Sequence, residues 1–187
     1  MNSEVAPLDH ASSPPSIVLT GFMGTGKSTI GRVLARQLRF DFIDTDREIE
    51  RVHGPIPQLF EELGETGFRQ IERELAAELH GVNRTVIATG GGMLLDRANV
   101  ETLGATATIF CLVATVEDIL TRITRAATHH HRPLLDAEDP LGRIRELLAE
   151  RSATYAQFIQ VNTAGMSPDE VAGLIAIKAA TVAQEAR

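Results

Sequence analysis

Residues 17–29 have the sequence IVLTGFMGTGKST and decide the fold class of this chain. The apolar run 17–20 predicts a β-strand, and the spacing from Gly21 to Ser28 matches the Walker A motif. A helix is expected next, because apolar residues recur at helical spacing at Ile30, Val33, Leu34 and Leu38. Strand, glycine-rich loop and helix in this order favour a phosphate-binding loop over the alternative, a glycine-rich turn without a ligand.

This loop predicts a nucleoside triphosphate as ligand. Its glycines let successive backbone N–H groups and the following helix N-terminus face a phosphate chain. Lys27 is expected to reach the β- and γ-phosphates, and the Ser28 hydroxyl to bind Mg²⁺. The residues expected to contact the triphosphate are Gly24, Thr25, Gly26, Lys27, Ser28 and Thr29.

Length and composition exclude several classes of protein. The chain has 187 residues, which is enough for one compact domain. Its 18 Lys and Arg residues against 25 Asp and Glu residues give a net charge of −7, which argues against generic binding to nucleic acid or membranes. The one cysteine, Cys111, excludes an internal disulfide and is expected to pack in a buried strand. With no leader-like or membrane-spanning run, we expect a cytoplasmic protein.

Short β-rich runs alternate with helical patterns along the chain. This alternation predicts an α/β fold with a five-stranded parallel sheet and helices on both faces. The strands are expected at 17–20, 40–44, 85–89, 106–113 and 158–161. A stripe at Phe68, Ile71, Leu75 and Leu79 predicts a buried helix face. Ser167 to Glu170 form a capping box, which predicts the start of the last helix.

Two carboxylates, Asp44 and Asp46, follow the second predicted strand. At this spacing both point to one side at the carboxyl edge of the sheet, where open α/β folds bind ligands. One could hold Mg²⁺ through water while the other accepts a hydrogen bond from a substrate hydroxyl. The alternative, that Asp46 only caps the next helix, stays open on spacing alone.

Glycines and arginines supply the remaining candidate residues. Gly90, Gly91 and Gly92 leave the backbone bare after the third strand, either for a ligand or for a sharp exit from the strand. Arginines near the predicted cleft suggest an anionic substrate, because the guanidinium fork matches carboxylate or phosphate. Each could instead be a solvated residue, and Arg69 could pair with Glu72. The arginines are Arg69, Arg125, Arg132 and Arg151.

Taken together, these residues resemble the shikimate kinase family, which are P-loop small-molecule kinases of the nucleoside-monophosphate-kinase group. The resemblance runs from about Ile17 to Ala176. It rests on Gly21–Thr29 with Ile30-Gly31-Arg32, Asp44-Thr45-Asp46, Phe68-Arg69-Gln70-Ile71-Glu72, Gly90-Gly91-Gly92, Arg132-Pro133-Leu134-Leu135, and Arg151 with Tyr155. It implies a three-layer P-loop kinase fold with a mobile lid. It also implies ATP-dependent phosphorylation of the shikimate 3-hydroxyl, a step toward chorismate and the aromatic amino acids.

The resemblance also implies a role for each matching residue. Asp46 resembles the carboxylate that binds the substrate hydroxyl and orients or deprotonates it, and Asp44 the Mg²⁺ partner that acts through water. Arg69 and Arg151 look like the pair that binds the shikimate carboxylate. The backbone of Gly90, Gly91 and Gly92 is similar to the segment that supports the ring hydroxyls.

The lid is expected at about residues 126–140, within a kinase domain spanning 16–187 that follows a flexible tail at 1–15. Arg132 resembles the lid arginine that approaches the transferring phosphate, and Arg125 the residue that covers the adenine. Three adjacent histidines, 129–131, could form a metal site, but a solvated lid segment is favoured. No Arg or Lys stands at 162–166, where the family often has a basic adenine contact.

The expected partners are shikimate, with ATP as co-substrate and Mg²⁺ as cofactor, in a monomer that binds neither nucleic acid nor membrane. A P-loop kinase for another small polyol acid, such as gluconate, is the alternative enzyme. A catalytically silent binding module is the alternative of a different class, and the presence of Lys27, Ser28, Asp46 and Arg132 argues against it.

Overall fold

A computed structural model describes residues 15–126 and 139–185. Within these residues the strands are β1 (Ser16–Thr20), β2 (Asp41–Asp44), β3 (Thr85–Ala88), β4 (Ala107–Val113) and β5 (Ile159–Asn162). The helices are α1 (Lys27–Leu38), α2 (Thr45–His53), α3 (Ile56–Leu79), α4 (Arg97–Gly104), α5 (Val116–Ala126), α6 (Pro140–Ala156) and α7 (Pro168–Glu185), with a short 3₁₀ helix at Met93–Leu95. The α/β class and all the expected strands are confirmed, with strand ends shifted by at most one residue.

The strands form one parallel sheet in the order β2-β3-β1-β4-β5. Leu19 of the central strand β1 pairs with Ala88 of β3 on one side and with Phe110 of β4 on the other. All carboxyl ends therefore meet at one edge of the sheet. Strands β2 and β3 lie on one side of β1, and β4 and β5 lie on the other. This change of direction leaves a crevice at that edge, where α/β folds bind ligands.

Helices cover both faces of the sheet because each buries one apolar stripe. On one face, α1 and α7 pack over a core that includes Leu19, Leu34, Phe110, Val171 and Ile175. On the other face, α3 and α4 pack over a core that includes Val18, Phe68, Leu75, Ile87 and Leu103. A third apolar cluster lies beside the phosphate-binding loop and comprises Phe22, Cys111, Ile119, Ile123, Ile144 and Tyr155.

Local signals in the sequence explain several helix boundaries. The capping box at the start of α7 is confirmed: Glu170 N–H donates to Ser167 Oγ at 3.3 Å, and Ser167 N–H donates to Glu170 Oε2 at 2.7 Å. Helix α3 is kinked at Gly64, whose φ of 65° only glycine adopts readily. The apolar stripe that begins at Phe68 follows this kink and is buried, as predicted.

The expected tail and lid fall mostly outside the described residues. Of the tail at 1–15, the structure describes Pro15, which forms an isolated bridge with Asn83. Of the lid at 126–140, residues 127–138 lie outside it. Across the ranges that are described, no helix has both the length and the apolar character needed to cross a membrane.

Candidate active site

The glycine-rich loop between β1 and α1 curls into the shape that the Walker A spacing predicts. Gly24 and Gly26 have φ values of 78° and 99°, a region that side chains with a Cβ rarely adopt. The Lys27 ammonium donates to the carbonyl oxygens of Gly21 at 2.9 Å and Phe22 at 3.0 Å. Lys27 therefore lies over the loop, at the first residue of α1, where the positive end of the helix dipole adds to its charge.

The loop borders a cavity of about 340 Å³ at the carboxyl edge of the sheet. The cavity brings together most of the residues that the sequence assigned to triphosphate, metal and catalysis. Its lining comprises Met23, Gly24, Gly26, Lys27, Ser28, Thr29, Asp44, Asp46, Thr89, Gly91 and Arg122. A lysine, a hydroxyl and two carboxylates in one cavity provide the groups that phosphoryl transfer to an alcohol requires.

The two aspartates reach this cavity from different elements. Asp44 ends β2 and caps α2, since its Oδ1 accepts a long hydrogen bond of 3.4 Å from Arg47 N–H. Asp46 lies in the first turn of α2. The cap of α2 is therefore Asp44, and the alternative that Asp46 is the cap is wrong. The strand spacing that suggested a common direction does not apply either, because a helix begins at Thr45, yet both carboxylates line the cavity.

At two positions of the triple glycine after β3, Gly90 and Gly92, neighbouring side chains occupy the space that a Cβ would need. A Cβ on Gly90 would overlap Asp46 Oδ1, and a Cβ on Gly92 would lie 2.8 Å from Arg69 Nη1. Gly90 N–H donates to Thr45 Oγ1 at 2.9 Å, which ties this segment to the start of α2. The bare backbone thus lets Asp46 and Arg69 approach the segment closely from α2 and α3.

Arg69 is held by two carboxylates on its own helix. Its Nη1 lies 2.7 Å from Glu72 Oε2, and its Nη2 lies 3.0 Å from Glu65 Oε1. Burial lowers the pKa of Arg69, but the two carboxylates outweigh burial and raise it, so the guanidinium stays charged. The predicted pairing with Glu72 is confirmed, and it occurs at a site where Arg69 also contacts the glycine segment.

Glu72 is a buried carboxyl group beside this arginine, with 2% of its surface exposed. Burial raises its pKa, the Arg69 guanidinium partly opposes that effect, and the negative charge of Asp46 adds to the rise. Buried carboxylates are tolerated when they are paired. The charge of Glu72 therefore interacts with the charges of both Arg69 and Asp46.

Arg151 approaches the same segment from α6. Its Nη1 lies 3.5 Å from the Gly91 carbonyl oxygen, and the Tyr155 hydroxyl donates to that oxygen at 3.1 Å. Arg69 at Gly92 and Arg151 at Gly91 thus lie at consecutive residues of the glycine segment. Guanidinium groups suit anionic ligands, so both arginines remain candidates for binding an anion at this segment.

A second cavity of about 260 Å³ adjoins the first on the other side of the loop. Arg122 of α5 lines both cavities. Its guanidinium donates to the Thr163 Oγ1 at 3.1 Å and the Thr163 carbonyl at 3.3 Å, and it reaches the Gly24 and Thr25 carbonyls at 3.4 Å. The remaining lining residues are Thr25, Gly26, Thr29, Ile30, Thr163, Met166, Pro168 and Val171.

Arg122 is a candidate that the sequence analysis did not name, and the role expected of Arg125 stays a prediction. Arg125 lies one turn later on α5, is exposed, and lines neither of these two cavities. The sequence held a signal for Arg122, because the buried face of α5 carries Ile119 and Ile123, which pack under Gly24. Arg122 follows Ile119 by three residues, a spacing that places both side chains on the same face of the helix.

The remaining expectations concern Arg132, a metal site at the adjacent histidines, and Cys111. Arg132 and the histidines 129–131 lie outside the described residues. In the parts of the chain that are described, no group of three or more His, Cys, Asp or Glu side chains is arranged to hold a metal ion. Cys111 is buried as predicted, and burial raises the pKa of its thiol to about 11. A thiol with this pKa is a poor nucleophile at neutral pH.

Comparison with known proteins identifies relatives that match most of the chain. A family model described as shikimate kinase matches residues 23–179. The shikimate kinase of Thermodesulfovibrio yellowstonii is 43% identical over 160 residues, which cover 84% of this chain and 90% of the relative. The shikimate kinase of Thermus thermophilus is 45% identical over 157 residues, which cover 83% of this chain and 84% of the relative.

Solved structures give the same result for the fold. Shikimate kinase from Acinetobacter baumannii in complex with shikimate matches with a TM-score of 0.78 and 38% identity, over 86% of this chain and 90% of that chain. A gluconokinase from Sinorhizobium meliloti matches with a TM-score of 0.62 but only 18% identity, over 92% of this chain and 95% of that chain. The second likeness shows a shared fold alone.

Proposed function

The chain belongs to the shikimate kinase family, and on that premise we propose that it transfers the γ-phosphoryl group of ATP to the 3-hydroxyl of shikimate. The products are shikimate 3-phosphate and ADP, in the pathway to chorismate and the aromatic amino acids. One observation carries the proposal at the level of residues. The cavity that contains Lys27 and Ser28 also contains Asp46, beside a glycine segment contacted by Arg69 and Arg151.

In the proposal, ATP occupies both cavities. Its phosphates lie along the loop, where Lys27 and the backbone N–H groups at the start of α1 neutralise their charge. Its base lies in the second cavity, between the Arg122 guanidinium and the apolar surface of Met166 and Pro168. The continuity of the two cavities through Gly26 supports this placement, since Gly26 lines both.

Shikimate lies on the opposite side of the transferring phosphate. Its carboxylate binds between Arg69 and Arg151, whose guanidinium forks match a carboxylate in geometry and charge. Its ring lies against the bare backbone of Gly91, and its 3-hydroxyl reaches Asp46. The contact of Asp46 with Gly90 supports this arrangement, because it places the carboxylate directly beside the acceptor surface.

The chemical step is an in-line displacement. The 3-oxygen forms a bond to the γ-phosphorus, the bond from that phosphorus to the β,γ-bridging oxygen breaks, and the hydroxyl proton passes to the Asp46 carboxylate. The transition state is loose, so the protein contributes mainly by positioning the reactants and neutralising charge. Lys27 and Arg132 of the lid supply positive charge, and the lid, residues 126–140, closes to exclude water.

The donor set fits a magnesium ion bound mainly through the nucleotide. Mg²⁺ takes oxygen ligands and keeps several waters, so a hydroxyl and one carboxylate beside the phosphates suffice. Ser28 would bind the ion directly, and Asp44 would hold it through water. When bound, the ion neutralises charge on the β- and γ-phosphate oxygens.

The oligomeric state and the cellular location are inferred from residues of the same chain. The residues named above come from one chain, so the site needs no second subunit, and we propose a monomer. Cys111 is a buried free thiol in the structure, which is typical of proteins in a reducing compartment. We therefore propose a cytoplasmic enzyme.

A coupled ADP-release assay tests the function directly. The acceptors are shikimate, quinate, gluconate and nucleoside monophosphates, each with Mg·ATP, and Lys27→Ala is the control variant. We expect turnover with shikimate that the control loses. Turnover with gluconate instead would assign the other polyol-acid kinase activity, and ATP binding without turnover on any acceptor would assign the silent binding module.

Asp46→Asn tests the role of the carboxylate. The variant keeps the shape of Asp46 but cannot take a proton from the hydroxyl. We expect ATP affinity to be unchanged and kcat to fall by about 10²- to 10⁴-fold. Normal turnover in this variant would contradict the assigned role, and nucleotide titration calorimetry checks that binding survives.

A further inference from the structure

Tyr155 is the one tyrosine of the chain, and its hydroxyl contacts the glycine segment 90–92. The residue is 5% exposed and packs in the apolar cluster beside the phosphate-binding loop. Its hydroxyl donates to the Gly91 carbonyl oxygen at 3.1 Å. Packing alone would need only a phenylalanine, so the hydroxyl points to a second role at this position.

Arg151 stands one helical turn before Tyr155 on α6, at the i, i+4 spacing that places side chains on the same face. Its Nη1 lies 3.5 Å from the Gly91 carbonyl that Tyr155 also contacts. Burial raises the pKa of Tyr155, and the adjacent Arg151 guanidinium partly opposes that rise. The hydroxyl therefore keeps its proton at neutral pH and acts as a donor.

The Arg151 guanidinium also lies over the ring of Phe22, a residue of the phosphate-binding loop. The Arg151 Cζ atom lies 5.3 Å from the centroid of the Phe22 ring, within the range of a cation–π contact. The ring is 1% exposed, so packing fixes its orientation. The Phe22 carbonyl also accepts hydrogen bonds from Lys27 Nζ at 3.0 Å and Thr25 Oγ1 at 2.7 Å. One loop residue thus joins the nucleotide site to Arg151.

We propose that Tyr155 and Phe22 are positioning residues, which hold Arg151 and the Gly91 carbonyl in the arrangement that binds the acceptor carboxylate. An arginine side chain loses much rotamer freedom when it binds a ligand. Restraint by the Phe22 ring and the Gly91 carbonyl removes that freedom before the ligand arrives. The inference rests on the proposed function, because it assigns Arg151 to the carboxylate of shikimate.

Two variants remove one restraint each. Tyr155→Phe deletes the hydroxyl and keeps the ring, and Phe22→Leu deletes the aromatic face and keeps an apolar side chain. For each variant we expect the KM for shikimate to rise about fivefold, the size of effect typical of one hydrogen bond or cation–π contact. For Tyr155→Phe, the KM for ATP and kcat are expected to change less than about twofold, because the phosphate-binding loop is unaltered.

Ile144→Val is the matched control. Ile144 belongs to the same apolar cluster as Phe22 and Tyr155, so the variant loosens that cluster by one methyl group. A thermal unfolding scan checks that all three variants fold and ranks their loss of stability. An unchanged KM for shikimate in the control shows that loosening the cluster does not by itself weaken acceptor binding. An equal rise in the control would overturn the inference.

Tyrosine fluorescence gives a readout of binding without turnover. The chain has no tryptophan, so its emission comes from Tyr155. We expect shikimate, added without ATP, to change this emission saturably, and the Kd to be about fivefold higher in Phe22→Leu. An unchanged KM for shikimate in both variants would overturn the inference, and so would tyrosine emission that saturating shikimate does not change. Normal turnover in the same experiments would leave the proposed function intact. Absence of shikimate turnover in the unaltered chain would instead contradict the proposed function.

Discussion

Gly90 and Asp46 are in such close contact that the position of the carboxylate depends on the absence of a side chain at residue 90. A Cβ atom there would overlap Asp46 Oδ1. Gly90 cannot easily move aside, because its N–H donates to Thr45 Oγ1 at 2.9 Å and it lies two residues after the end of the buried strand β3. The proposed proton acceptor is thus positioned by the backbone segment that follows the neighbouring strand.

Gly90→Ala is expected to displace the Asp46 carboxylate from the acceptor hydroxyl. A misplacement of about 1 Å in a reacting group lowers turnover by about 10²-fold. We therefore expect kcat to fall by about 100-fold while the KM for ATP stays unchanged, since the phosphate-binding loop is untouched. Steady-state kinetics with both substrates measures the two effects.

Gly173→Ala is the matched control for that variant. A Cβ on Gly173, inside α7, would meet no heavy atom within 4 Å. We expect normal kinetics and a free energy of unfolding raised by about 0.5–1 kcal/mol, because alanine favours a helix over glycine. Full turnover in Gly90→Ala would show that the contact with Gly90 does not position Asp46.

Arg122 and Arg125 give a second matched pair on one helix. Arg122 contacts the loop and Thr163 and lines both cavities, whereas Arg125 is exposed. We expect Arg122→Ala to raise the KM for ATP by about tenfold, as for the loss of a charged contact at a partly buried site. Arg125→Ala is expected to change it less than about twofold. The opposite ranking in steady-state kinetics would assign the adenine contact to Arg125, as the sequence predicts.

The fold was predictable because its signals are local. The run 17–29 contains a strand, a loop and a helix start in contiguous residues, and the capping box at Ser167 marks a helix boundary within four residues. Strand ends shifted by at most one residue, since the sheet register and not the local pattern sets where pairing stops. The order of strands across the sheet has no comparable local signal.

Most residues that line the first cavity could be named from the sequence, but the contacts between them could not. Asp46 and Gly90 are far apart in the sequence, and only the pairing of β2 with β3 brings them together. The start of α2 at Thr45, which makes Asp44 the cap, depends on where β2 ends. Arg122 was missed because its contacts come from the loop and from Thr163, which only the fold places beside α5.

Arg69→Ala is expected to weaken shikimate binding strongly. The variant leaves the acceptor carboxylate without one of its two guanidinium partners, which costs about 2–5 kcal/mol in a desolvated site. We expect the KM for shikimate to rise at least about 30-fold, with the KM for ATP unchanged. Isothermal titration with shikimate measures the same loss without turnover.

Arg73→Ala is the control on the same helix. Arg73 pairs with Asp96 through Nε at 2.6 Å and is about half exposed. Exposed ion pairs contribute about 0.2–1 kcal/mol, so we expect a small loss of stability and an unchanged KM for shikimate. A similar KM effect in both variants would mean that Arg69 acts through the general charge of α3 and not through contact with the acceptor.

Glu72 makes the stability of the fold depend on pH in a defined direction. Burial raises its pKa in the folded chain above the usual value of about 4.3 for an unfolded glutamate, and Arg69 only partly opposes this rise. Between the two pKa values the unfolded chain binds fewer protons than the folded chain. The contribution of Glu72 to stability is therefore fully present below the unfolded pKa and is lost as pH rises through the folded pKa.

Glu72→Gln removes this titration while keeping a side chain of similar shape. We expect the free energy of unfolding of the unaltered chain, minus that of the variant, to decrease as pH rises from about 4 and to level off above the folded pKa. Urea unfolding at several pH values from about 4 to about 8 measures the difference. A difference that grows with pH would mean that the Arg69 guanidinium dominates and lowers the pKa of Glu72, because the charged carboxylate would then be the form that the fold stabilises.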